Sequence, residues 1–218
     1  MIISRGRGYI FVHIPKTGGT AMALALEARA MKDDILIGDT PKARQRRKRQ
    51  ASLQGAGRIW KHSTLADIEG VVTRDAFEDF LIFTLVRNPW DRTVSYYHWL
   101  RQQTFDQPAV KLAQSTDFTG FLNAAQTQRA LMANPFDRYI RDGAGRLRTP
   151  VFLRLEHLQE DLDQIAPRLG FRPDMGQANP SPRDRDWRGY YTEQDAALLG
   201  RVCGADVARF GYRFDPGG

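Results

Sequence analysis

Residues 9–31 read Y-I-F-V-H-I-P-K-T-G-G-T-A-M-A-L-A-L-E-A-R-A-M. Residues 9–14 are a short apolar run rich in β-branched and aromatic side chains, which predicts a buried strand. Residues 15–20, Pro-Lys-Thr-Gly-Gly-Thr, predict a tight turn, and residues 21–31, dominated by Ala, Leu, Met and Glu, predict a helix. A strand, a glycine turn and a helix in that order aim successive backbone N–H groups and a helix N-terminus at one point, a geometry that binds phosphate. Gly18 and Gly19 let the backbone approach anion oxygens with no Cβ in the way; Lys16 adds a mobile cation, and Thr17 and Thr20 add hydroxyl donors. Two glycines alone would suit an ordinary βα turn. A lysine and two threonines within the same six residues point to an anion.

The strongest strand signal lies at 80–86, F-L-I-F-T-L-V, apolar except for Thr84, as expected of a central parallel strand covered on both faces. Arg87-Asn88-Pro89 ends it, and residues 90–103 predict a helix with Pro89 near its first turn. Arg87 therefore stands at a carboxyl strand end, where ligands of open α/β sheets collect. Ser95 follows about two helical turns on. An arginine fork with a hydroxyl suits a second, dianionic phosphate, the alternative being an Arg87–Asp91 ion pair. Further strands are predicted at 58–61 and 150–154. Further helices are predicted from Thr73, through a helical middle at about 117–128, at 156–169 closed by Gly170, and at 192–210. Strands alternating with helices predict an α/β sheet with right-handed crossovers.

The chain has 218 residues, enough for one sizeable core, and 32 Lys+Arg against 25 Asp+Glu give a net charge of +7. That surplus calls for an anionic partner without naming it. The longest uncharged apolar run is too short to span a bilayer, and the N-terminus lacks the apolar stretch of a signal peptide. The single cysteine, Cys203, excludes an internal disulfide and a cysteine-rich metal site and reads as a small buried apolar residue. The expected compartment is the cytoplasm. Residues 42–49, K-A-R-Q-R-R-K-R, lie in a basic insert at 38–57. They lack the interleaved aromatics of a nucleic-acid site, so nucleic acid is not the expected partner; the segment reads as a solvated insert or as a guide for an anionic acceptor.

The turn is not a Walker A loop, whose lysine follows the glycines, and Arg87 stands where a Mg²⁺-binding carboxylate would be needed. H-I-P-K-T-G-G-T at 13–20 followed by L-V-R-N-P-W-D-R-T-V-S-Y-Y at 85–97 resembles sulfotransferases that use 3′-phosphoadenosine 5′-phosphosulfate (PAPS), in the branch of carbohydrate sulfotransferases with many bacterial members. Residues 152–162 and the C-terminal part are similar to that family too. The resemblance implies a P-loop-like three-layer fold with a central, mostly parallel sheet flanked by helices, in a single domain over 1–218. It assigns Lys16, Thr17, Gly18, Gly19 and Thr20 to the 5′-phosphosulfate, and Arg87 and Ser95 to the 3′-phosphate. It implies PAPS as co-substrate, adenosine 3′,5′-bisphosphate (PAP) as product, no metal, and a carbohydrate or glycolipid-like acceptor. Likeness to membrane-anchored Golgi enzymes leaves peripheral membrane contact open. Residues 38–57 and a helical region at 104–149 match least, and acceptor specificity is expected there. A P-loop-like small-molecule kinase and a non-catalytic polyanion or nucleotide-binding module are the alternatives.

Sulfuryl transfer needs charge stabilisation on the leaving oxygen, which Lys16 suits, and a base for the acceptor proton. His62, in I-W-K-H-S-T after the predicted strand 58–61, is expected to project from a carboxyl strand end toward the crevice of Lys16. In the resembling family a histidine after this strand often serves as base. Glu156 beside Arg154 is the second candidate, with an Arg–Glu structural pair as its alternative reading. His13 is expected to pack beside the loop and His98 to sit in a helix. Arg183, in N-P-S-P-R at 179–183 with Arg185 and Arg188 following, is a candidate lid residue on the nucleotide's 3′ side, with a solvated loop as the equal alternative.

Overall fold

In a computed structural model of the chain, which describes residues 1–73, 75–176, 184 and 186–215, the apolar segments assemble a five-stranded sheet. Its strands are β1 (Ile2–Ser4), β2 (Tyr9–Val12), β3 (Ile35–Leu36), β4 (Leu81–Val86) and β5 (Val151–Arg154), in the order β3-β1-β2-β4-β5. β2, β4 and β5 pair in parallel, while β1 is antiparallel to both β2 and β3. Four of the five strands thus run one way, and the mostly parallel α/β fold implied by the resemblance is what the chain adopts.

The chain divides into two compact units, Met1–Val86 with Phe136–Ala178 and Arg87–Pro135 with Asn179–Gly218. The first holds the sheet. All six residues of β4 are buried, and Thr84 satisfies its hydroxyl by donating to the Val12 carbonyl at 2.7 Å. Phe83 pairs in register with Phe11, their ring centroids 5.3 Å apart, and Tyr9 lies 5.8 Å away. On this face Met22 and Leu26 of helix Gly19–Glu27 join Leu153, Leu162 and Ile165 in one apolar core. Burying a side chain of this size stabilises by roughly 1.5–3 kcal/mol, so the core is dominated by these few rings and branched chains.

Two sequence expectations change in the first unit. Residues 58–61 are not a strand but an irregular turn, and the sheet instead recruits β1 and β3. β1 forms a hairpin with β2 through residues 5–8, closed by the Gly8 N–H on the Arg5 carbonyl at 3.3 Å, with Gly8 at φ 62°. The helix expected over 156–169 breaks into short α and 3₁₀ pieces, the last being Ala166–Leu169 with Pro167 in its first turn, where no N–H is needed; Gly170 ends it at φ 74° as expected.

The second unit is helical: Pro89–Arg101, Pro108–Ser115, Phe118–Asn123, Ala125–Met132, Glu193–Val202 and Gly204–Phe210. Asn88 caps the first through its side chain on the Trp90 N–H at 3.0 Å, with Pro89 at a position that needs no donor. The helix expected over 192–210 is two helices, interrupted at Cys203 and Gly204. Buried Asp195 accepts from Thr119 at 3.0 Å and Asn123 at 2.7 Å, tying Glu193–Val202 to Phe118–Asn123.

At the end of β5, Arg154 is held by Asp161, which is 2% exposed and takes the Arg154 backbone N–H at 2.7 Å, Nε at 3.0 Å and Nη2 at 2.8 Å. These hydrogen bonds hold the Asp161 carboxyl below the usual carboxylate range. Because the folded-state value is depressed, the stabilisation is present above the unfolded value near 3.9 and is lost as pH falls through the folded value. Asp161→Ala should therefore lower unfolding free energy by about 1–3 kcal/mol at pH 7, with the difference from wild type shrinking below about pH 4; urea titration at both pH values measures it.

Candidate active site

The chain leaves β2 through Pro15-Lys16-Thr17-Gly18 and enters helix Gly19–Glu27. Two residues of this turn are left-handed, Gly18 at φ 86° and Lys16 at φ 65°. For glycine that is free, whereas for lysine it stores strain of roughly 1–2 kcal/mol. Gly18 is the N-cap of the helix, yet no side chain caps the helix and no acidic residue occupies its first turn. The Ala21 N–H turns back onto the Gly18 carbonyl at 3.1 Å, and the N–H groups of Gly19 and Thr20 ahead of it have no side-chain cap.

The two glycines serve different needs. A Cβ at Gly19 would come within 2.1 Å of His13 Cδ2, so residue 19 is glycine because the His13 ring lies against the helix start. Gly18 is required by its backbone, and a Cβ there would meet Leu155 at 3.0 Å. Thr17 is fully buried and spends its hydroxyl proton on the Ile14 carbonyl at 2.9 Å. Its hydroxyl fastens the turn from within. Thr20, by contrast, is exposed.

His13, immediately after β2 and 6% exposed, also holds the candidate base. Its carbonyl lies 2.8 Å from His62 Nδ1. A carbonyl only accepts, so Nδ1 carries the hydrogen and Nε2 of the neutral ring carries the lone pair. Among the described residues nothing hydrogen-bonds Nε2. The His62 ring stands edge-on to two others, His13 at 4.6 Å and 74°, and Trp60 at 5.0 Å and 87°. Burial lowers the His62 pKa to about 4, opposed by the bond to His13 and reinforced by nearby Lys61. Burial likewise holds His13 well below 6.5, with the N-terminal ammonium, His62, Lys61 and Lys16 acting in the same direction. Both rings are neutral at pH 7.

His62 does not follow a strand. It sits in a turn pinned by Ser63, which is fully buried and whose Oγ accepts the Trp60 N–H at 2.9 Å. That Ser63 hydroxyl lies within hydrogen-bond distance of the carbonyls of Arg58, at 2.9 Å, and Trp60, at 2.8 Å.

In the second unit, Arg87 does pair with Asp91: Nε donates at 2.8 Å and Nη2 lies 2.7 Å from the carboxylate. The pair orients the guanidinium. Ser95, one turn beyond Asp91 on the same helix face, is 5% exposed, and its hydroxyl has no partner among the described residues.

Arg154 is engaged by Asp161, so the expected Arg154–Glu156 pair is not the principal contact of that arginine; Glu156 is exposed in the 3₁₀ turn after β5. Arg183 and Arg185 lie outside the described residues, and Arg188 is bound to Asp186 and Asp215. The basic cluster at 42–49 splits in two. Lys42 and Arg46 turn inward, donating to the carbonyls of Glu27 at 2.6 Å and Asp34 at 2.7 Å, whereas Arg44, Arg47 and Lys48 are exposed. Helix Pro41–Arg46 is capped by the Thr40 side chain. Among the described residues no group of histidine, cysteine, aspartate and glutamate could hold a metal ion, and no helix is long and apolar enough to cross a membrane.

Sequence reasoning missed His13 and Trp60 as partners of His62. The packing of His13 on Gly19 had a signal, a glycine at a helix start where any small residue would serve a phosphate.

A sequence model of the family described as Sulfotransferase family matches residues 1–181. The structure is similar to that of mouse sulfotransferase SULT7A1 complexed with PAP, with 17% identity, a TM-score of 0.49, and coverage of 90% of this chain and 82% of that one. No curated protein matches the chain.

The contact between Gly19 and His13 can be isolated. Gly19→Ala should destabilise the fold by about 1–3 kcal/mol through overpacking. In His13→Ala the added methyl has room, so the double-mutant cycle should show a favourable coupling of about 1 kcal/mol or more by urea denaturation.

Proposed function

The chain belongs to the sulfotransferase family of PAPS-dependent enzymes, and from that premise we propose that it transfers the sulfuryl group to a hydroxyl of a carbohydrate or glycolipid-like acceptor. The observation that carries the assignment of roles is the neutral His62, its Nδ1–H fixed on the His13 carbonyl and its Nε2 without a protein partner among the described residues. The uncapped helix start with Lys16, Gly18 and Gly19 fits a phosphosulfate: it offers N–H donors and a cation, with no acidic side chain in the first turn. PAPS supplies the sulfuryl group and a bisphosphate leaving group. In this reading Thr20 and the backbone of Thr17, Gly18 and Gly19 hold the 5′-phosphosulfate, and Arg87 and Ser95 take the 3′-phosphate. Arg183 is assigned to the 3′ side as well.

The bond changes balance as follows. The acceptor oxygen forms a bond to sulfur, the bond from sulfur to the bridging phosphate oxygen breaks, and the acceptor proton passes to His62 Nε2. Lys16 stabilises the negative charge that gathers on the leaving oxygen. A pKa near 4 keeps His62 unprotonated at neutral pH but makes it a weak base. Proton transfer therefore belongs in the transition state, when bonding to sulfur acidifies the acceptor hydroxyl. The exposed Arg44, Arg47 and Lys48 support an acceptor that carries negative charge.

Calorimetry with PAP should give metal-independent binding that is lost in Lys16→Ala and Arg87→Ala; tight binding of Mg·ATP in its place would sink the reading in favour of a kinase. Turnover with PAPS should fall by about 10²–10⁴ in His62→Gln with PAP affinity retained. In wild type the acid limb of kcat/KM that belongs to His62 should lie near pH 4, well below that of an unperturbed imidazole.

A separate measurement addresses the acceptor. Replacing Arg44, Arg47 and Lys48 together by Gln should raise the KM of an anionic acceptor and leave PAP affinity alone, and an unchanged KM would count against acceptor guidance.

A further inference from the structure

Trp60 presents its indole to solvent, 40% exposed, while its ring stands edge-on to His62 at 5.0 Å. An exposed indole on a loose loop would need no explanation. This one is not loose. The Trp60 backbone N–H donates to the Ser63 hydroxyl at 2.9 Å, and the Trp60 carbonyl takes the Ser63 N–H at 3.0 Å, so the fully buried Ser63 fixes the backbone that carries the ring. A large apolar side chain is thus carried on a fixed backbone, partly exposed and beside the candidate base.

The surroundings of the ring define what could lie on it. The Arg58 guanidinium stands over the indole at 5.0 Å, a contact worth only about 0.5–1 kcal/mol at an exposed site and therefore easily displaced. Lys61 and Asp39, ion-paired at 2.6 Å and both partly exposed, stand close enough to His62 to act on its charge in opposite directions. Arg58 at the indole, with Lys61 and Asp39 near His62, thus supplies polar, hydrogen-bonding groups on this side of the molecule. A saccharide ring has one face of C–H groups and a periphery of hydroxyls, which matches an indole face inside a charged rim.

We propose that Trp60 is an acceptor-binding platform: a saccharide ring of the acceptor stacks on the exposed indole, with Arg58, Lys61 and Asp39 taking its hydroxyls, and is thereby held beside His62. This rests on His62 as base for its catalytic meaning, but the binding itself does not. Stacking on a rigid face fixes the acceptor's translation and tilt before reaction, so its loss should fall mainly on KM.

The test is heteronuclear NMR of the indole N–H signals in the full-length protein saturated with PAP. The chain has 4 tryptophans, and Trp60→Phe identifies the signal of interest. Lacto-N-tetraose and an unsulfated chondroitin tetrasaccharide serve as probes, with 2-naphthol as the aromatic control. At least one tetrasaccharide should shift the Trp60 signal, with binding weakened about tenfold in Trp60→Ala and largely retained in Trp60→Phe. Absence of any saccharide-dependent shift at Trp60, equal binding by Trp60→Ala, or a shift with 2-naphthol alone would overturn the proposal. Loss of turnover in His62→Gln is read separately: an unaffected His62→Gln enzyme with an intact saccharide response would remove the base assignment and leave the platform standing.

Discussion

The turn after β2 must bring the chain out of a buried parallel strand and into a helix within a few residues, and it does so by placing Lys16 and Gly18 in the left-handed region. Everything assigned to the first unit's chemistry hangs on that geometry. It starts helix Gly19–Glu27 close enough to β2 for the His13 ring to lie against Gly19. It buries Thr17, whose hydroxyl closes the turn on Ile14. It also leaves the helix without a side-chain cap, so the uncompensated donors that most helices hide are available to a ligand. The strained residue is the lysine, a pattern expected where backbone strain is retained for function.

His13 connects this turn to the candidate base. Its ring packs on the helix start and its carbonyl selects the His62 tautomer, so a shift of the strand end would be felt at both places. The imidazole that results is desolvated and neutral.

Much of this was legible in the sequence, and the misses have physical causes. β4 and the glycine turn could be read because a continuous apolar run and a left-handed glycine leave little alternative. β1 and β3 are three and two residues long, too short for any periodicity to register, and they owe their strand geometry to pairing with β2 and with each other. Residues 58–61 carry β-formers, Ile59 and Trp60, but the buried Ser63 hydroxyl captures the backbone groups a strand would have offered to a neighbour. His62, expected after a strand, sits instead in the turn pinned by Ser63. Arg87 was ambiguous in sequence between ion pair and ligand; the structure shows the pair with Asp91, which is also what orients its fork.

The division of the basic segment has a consequence in ionic strength. Lys42 and Arg46 bind backbone carbonyls from partly buried positions, where mobile ions screen little, whereas Arg44, Arg47 and Lys48 act through solvent. As the Debye length contracts from roughly 10 Å at 0.1 M toward 3 Å at 1 M, the outward cations lose their reach while the inward ones keep helix Pro41–Arg46 in place. One short stretch of like residues thus separates into a salt-resistant anchor and a salt-sensitive outward face, and the field of the outward cations can be screened without disturbing the scaffold that carries them.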